Sequence, residues 1–94
     1  MKVRIEDLET SFREIFSSIK EELGKNEIEI SEDFYWHIVS NDLYNIDQKP
    51  ENHSIGSLSD DLNEIKRIAN MEYSPVRQNL VKLNSILRYI AEKE

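Results

Sequence analysis

The stretch "DFYWHIVSNDLYNID", residues 33–47, decides how this chain folds. It gathers Phe34, Tyr35, Trp36 and Tyr44 among the acids Asp33, Asp42 and Asp47. It reads as a helix, or as two short turns divided at Ser40, with Ser40 capping a short piece through Leu43 and Tyr44. Ser31, just before it, has the side chain of an N-cap. Glu32 and Asp33 would then lie in a first turn, where the helix dipole favours acids.

Upstream, "KNEIEIS" alternates Ile28 and Ile30 with acids, a strand pattern in miniature. A lone strand has no partner there, so an extended connector is expected. Further back, Ile5, Leu8, Phe12, Ile15, Ile19 and Leu23 recur at spacings of three and four, with Phe16 beside them. That is an amphipathic helix over 5–23. Gly24 can take the left-handed conformation that ends it.

Downstream, residues 46–57 turn polar around Pro50 and Gly56, which predicts a surface loop. Ser57, with Asp60 three residues on, resembles a capping box in which Asp replaces Glu or Gln. Leu58, Leu62, Ile65 and Ala69 form one stripe, widened by Ile68, on a helix expected over 58–71. Ser74-Pro75 signals the next start, with Ser as N-cap and Pro at the first helical position. Val76, Leu80, Leu83, Leu87 and Ile90 then repeat along a helix over 75–93. The last two helices are close enough to form an antiparallel hairpin, across which the first helix can pack. The fold expected is all-α, a compact three- to four-helix bundle with an irregular aromatic segment over 31–45. One domain accounts for all 94 residues.

A chain of this length buries only about 60–65% of its unfolded surface, which leaves little room for a deep pocket. Hydrophobic residues are 38% and charged residues 33%, the balance of a small domain dominated by surface. With no cysteine, disulfides and thiolate metal sites are excluded. "MKVRIEDLETSF" is interrupted by charge at once and has no signal-peptide core. No apolar run is long enough to span a bilayer. A cytoplasmic location is the expectation.

The net charge of −7 disfavours phosphate backbones and anionic membranes, so neither nucleic acid nor membrane is expected as a partner. Its distribution is uneven. Residues 31–61 hold seven acidic groups against one basic, a net −6, whereas residues 62–94 are net +2. An acidic middle can steer a basic protein.

Catalytic constellations are wanting. Asp60 and Asp61 are adjacent, and neighbours on a helix point about 100° apart, so they do not converge on a metal or share a proton. At a helix start each has a dipole-stabilising role worth roughly 0.3–1 kcal/mol. His37 and His53 are the only histidines, and their spacing is not that of a ligand pair. No serine sits in a nucleophile elbow, and Gly24 and Gly56 are too isolated to cradle phosphate. No cofactor and no metal site is expected. The aromatic residues serve either as core or as a binding hot spot. The stripe of the first helix serves either the core or a homodimer through 5–23. The residues expected to meet a partner are Asp33, Asp42, Asp47, Glu51 and Asp60 as steering acids, with Tyr35 or Trp36 as the anchor.

Taken together, "DFYWHI", "DLYNI" with a nearby Pro, "IGSLSDDLNEI" and "LNSILRYI" resemble a group of small bacterial proteins. Their pattern is an acidic Tyr-Trp segment, a Leu-Tyr-Asp-like turn, a Gly-x-Leu-x-Asp-Asp helix start and a terminal Leu-Arg-x-Ile. The resemblance covers residues 30–91, omits the first helix, and departs at Asn45 after the Leu-Tyr pair. It implies a helical fold and no established enzyme activity. In charge and size, though not by motif, such proteins also look like immunity proteins that neutralise basic nuclease toxins. The function expected is a non-enzymatic protein–protein interaction module. The alternatives are a structural or homodimeric protein, or a metal-dependent enzyme using His37 or His53.

Overall fold

The computed structural model describes residues 1–72 and 76–94. Six elements follow one another: α1 (Ile5–Leu23), β1 (Phe34–Ile38), α2 (Ser40–Leu43), β2 (His53–Ser57), α3 (Leu58–Ala69) and α4 (Val76–Lys93). The all-α expectation is therefore wrong. Four helices accompany an antiparallel two-stranded sheet, so the chain is mixed α and β. The segments expected as irregular (31–45) and as loop (46–57) each supply one strand.

The strands pair with Tyr35 opposite Gly56, Trp36 opposite Ile55 and Ile38 opposite His53. "FYWHI" is aromatic and β-branched throughout, which suits a pleated surface better than a helix. Its partner "HSIGS" has one large apolar residue, so the pairing is invisible locally. Trp36 and Ile55 stand directly opposite in the register, an aromatic and β-branched pairing of the kind that stabilises a sheet. Asp42 closes the connection: its carboxylate accepts the backbone N–H of Glu51 at 3.2 Å and of Asn52 at 2.6 Å.

Ser31 does not begin a helix. Its N–H donates to the Tyr89 hydroxyl at 3.1 Å, and the two hydroxyls lie 3.3 Å apart. This fastens the connector after α1 to α4. Ile30 packs on the core nearby. At the start of α3 the Ser57 hydroxyl accepts the Asp60 N–H at 3.3 Å, the cap expected of it. The expected cap at Ser74-Pro75 lies outside the described residues.

The core is small. Leu58, Ile86 and Tyr89 are buried, and Ile30, Tyr35, Leu62, Ile65 and Ile90 pack around them. The inward face of α4 is thus Asn79, Leu83, Ile86, Tyr89 and Ile90. The apolar stripe expected on α4 lies partly outside the core: Val76 and Leu80 point outward and are exposed. The helix α1 ends at Gly24 (φ 64°), whose N–H donates to the Lys20 carbonyl at 2.9 Å. It was expected to cover the hairpin, yet none of its residues is buried.

The accessible surface is 8501 Å². A compact folded monomer of 11.1 kDa exposes about 5,700 Å². The Cα radius of gyration is 15.1 Å, against about 12.4 Å for a compact chain of this length.

Candidate functional site

The pleat of β1 sends its side chains to two faces with different fates. Tyr35 points inward. Its hydroxyl donates to Oδ2 of Asp61 at 2.5 Å, and the Ser85 hydroxyl donates to the same oxygen at 2.6 Å. One carboxylate thereby joins β1, α3 and α4. Asp61 is 6% exposed. It is not mainly a helix starter, because Asp61, Leu62 and Ile65 follow Leu58 at offsets of three, four and seven, on the core-facing stripe of the helix. Partial burial, and then the bond to Asp61, push the Tyr35 pKa up, so the hydroxyl keeps the proton that it donates. Gly56 makes room for it: a Cβ there would collide with the Tyr35 ring. Tyr35 is therefore committed to the fold, not displayed as an anchor.

Two of the steering acids are also structural. The Asp33 carboxylate accepts the Ser59 N–H and the Ser57 hydroxyl, both at 2.9 Å. Its own carbonyl accepts the Leu58 N–H at 2.7 Å. It seals the start of α3, which holds its carboxyl below the usual aspartate range, chiefly through the Ser59 N–H and then the Ser57 hydroxyl. Asp42 closes the strand connection as described above.

No described residue covers the opposite face of the sheet. Phe34, Trp36 and Ile55 are exposed there, Trp36 to 68%. The Trp36 ring meets the edge of the His53 ring at 4.7 Å between centroids and 68° between planes. Trp36, Ile38, Lys49, Pro50 and His53 line an open depression of about 420 Å³. A second, of about 450 Å³, adjoins it along the connection and includes Asp47. Asp47 and Glu51 are exposed beside these depressions, and Asp60 is exposed at the far end of β2. The structure thus separates the expected contact residues. Trp36, Asp47, Glu51 and Asp60 are open to a partner; Asp33, Tyr35 and Asp42 are held in hydrogen bonds.

His37 lies on the inner face opposite Ser54, and His53 on the outer face opposite Ile38. The pleat directs the two imidazoles apart, so they do not converge on one ion. Among the described residues no group of three or more His, Cys, Asp or Glu side chains is arranged to hold a metal. Nor is any helix among them long and apolar enough to cross a membrane.

Sequence reasoning missed Asp61, Ser85 and the exposed pair Phe34 and Ile55. Asp61 had a signal in its stripe position. Phe34 and Ile55 had none without knowledge of the strand pairing. Comparison with protein families, with curated proteins and with solved structures finds no match.

Proposed function

We propose that this chain is a non-enzymatic interaction module whose acidic middle binds a basic protein. Trp36 is the anchor, with Phe34 and Ile55 beside it, and Asp47, Glu51 and Asp60 form the acidic rim. The observation that carries this reading is the exposure of Trp36 on a sheet face that none of the described residues covers. Trp is enriched in binding hot spots, and apolar faces rimmed by polar groups mark protein contacts. The net −6 of residues 31–61 supplies the steering field for a basic surface. A basic nuclease domain of a bacterial toxin has the matching charge, and an inhibitor of it would act in the cytoplasm.

The test is capture from lysate of the native host, with the chain immobilised at low and at high salt. A basic protein retained at low salt, released at high salt and not retained by Trp36→Ala supports the reading. Retention that ignores both salt and Trp36 contradicts it.

A further inference from the structure

We propose that the chain pairs with a second copy of itself by exchanging α1, the α1 of each copy lying on the outward stripe of the other's α4. Three observations converge on this occupant, and none depends on the function proposed above.

The first is the shape of the α1 stripe. Ile5, Leu8, Phe12, Ile15 and Ile19 follow heptad spacing, and Phe16 and Leu23 widen the seam on one side. A seam widened in this way is that of a core-facing helix, which needs neighbours on more than one side. Yet no α1 residue is buried, and Ile15 is 59% exposed.

The second is a matching vacancy. Val76 and Leu80, the latter 62% exposed, continue with Leu87 into a second apolar row on α4, beside the row that packs on the core. The area agrees. The surface beyond that of a compact monomer is about 2,800 Å² per chain, or about 5,600 Å² for two, at the upper end of what obligate dimers bury in total.

The third is charge, which selects α4 over a second α1. Helix α1 carries six acidic and two basic side chains, a net −4. Helix α4 carries four basic and one acidic, a net +3. By helical geometry Glu9 and Glu22 border the α1 stripe, and Arg77 and Arg88 flank the α4 row on its solvent side. Two α1 helices laid together would set −4 against −4. The exchange is reciprocal and closed, as a two-fold dimer requires.

The test begins with the mass in solution by light scattering. Twice 11.1 kDa is expected, and a monomer overturns the proposal. The chain has no cysteine, so engineered pairs report cleanly. Under oxidation, Ile15→Cys combined with Leu80→Cys or with Val76→Cys is expected to give a covalent dimer on a denaturing gel. Ile15→Cys alone is expected to give none. A covalent dimer from Ile15→Cys alone shows α1 on α1, and an internal disulfide in a monomer shows α1 on its own α4. Either result, or no disulfide in both double variants, overturns the proposal. Unchanged helical circular dichroism in each reduced variant guards against misfolding. As a second readout, Phe12→Asp, which spares the described core, is expected to abolish the dimer; a Phe12→Asp dimer as stable as wild type counts against the exchange.

Discussion

The Tyr35 hydroxyl and the Asp61 carboxylate meet at 2.5 Å across 26 residues of sequence. This bond, with that from Ser85, ties the sheet to both core helices. It also separates the residues that hold the fold from those left free to act.

Asp61→Ala is expected to leave the Tyr35 hydroxyl without its acceptor in a part-buried setting, while the Ser85 hydroxyl keeps the Lys82 carbonyl at 2.7 Å. The cost is about 2–3 kcal/mol, read as a lowered urea midpoint at constant slope. Tyr35→Phe removes one donor and costs about 1 kcal/mol. The double variant Asp61→Ala/Tyr35→Phe is expected to cost less than the sum. Strict additivity would mean that the two do not interact.

Gly56→Ala is expected to destabilise by about 1–3 kcal/mol, because the new methyl must displace the Tyr35 ring from its hydrogen bond. Gly24→Ala meets open space but keeps φ at 64°, so backbone strain alone, about 1 kcal/mol, should follow. Thermal melts rank the two. The reverse order would remove the close approach of Tyr35 as the reason for Gly56.

The pH dependence has two limbs. Asp33 has a lowered carboxyl pKa in the fold, owing first to the Ser59 N–H. Its contribution is complete above the unfolded value of about 3.9 and is lost as the pH falls through the lowered one. Asp33→Asn should flatten the acid limb of stability below about pH 4. Tyr35 has a raised pKa, from burial first. Its contribution is complete below about pH 10 and is lost as the pH rises through the raised value, a limb that Tyr35→Phe should remove.

Divalent metals and EDTA are expected to leave the melting midpoint unmoved, since the two imidazoles face apart. A rise with one metal that His53→Ala abolishes would restore the enzyme reading.

The helices were legible because their stripes are long and well punctuated. Gly24 ends its helix because it lacks a Cβ and can take a positive φ, and Ser57 begins its helix through its hydroxyl. The sheet was not legible, for a physical reason. "FYWHI" is apolar on both faces, so alternation does not show, and "HSIGS" takes part through its backbone. The pairing also bridges a connection that the Asp42 carboxylate and the Val39 N–H, which donates to the Asn52 carbonyl, draw shut. The two acids Asp60 and Asp61 look alike in sequence, yet the rotation of about 100° between helix neighbours leaves the first in solvent and carries the second into the core. Tyr35 and Trp36 diverge by the same logic, at a period of two.

In the proposed function Trp36 meets the partner while its neighbours hold the fold. A calorimetric titration of the captured basic protein into wild type and Trp36→Ala tests it most directly. Because Trp36 is mostly exposed, Trp36→Ala should cost no more stability than its cross-strand pairing with Ile55, about 1 kcal/mol. It should weaken binding by about 30-fold or more, the loss of a hot spot of about 2 kcal/mol. An unchanged affinity in a folded Trp36→Ala would contradict the account.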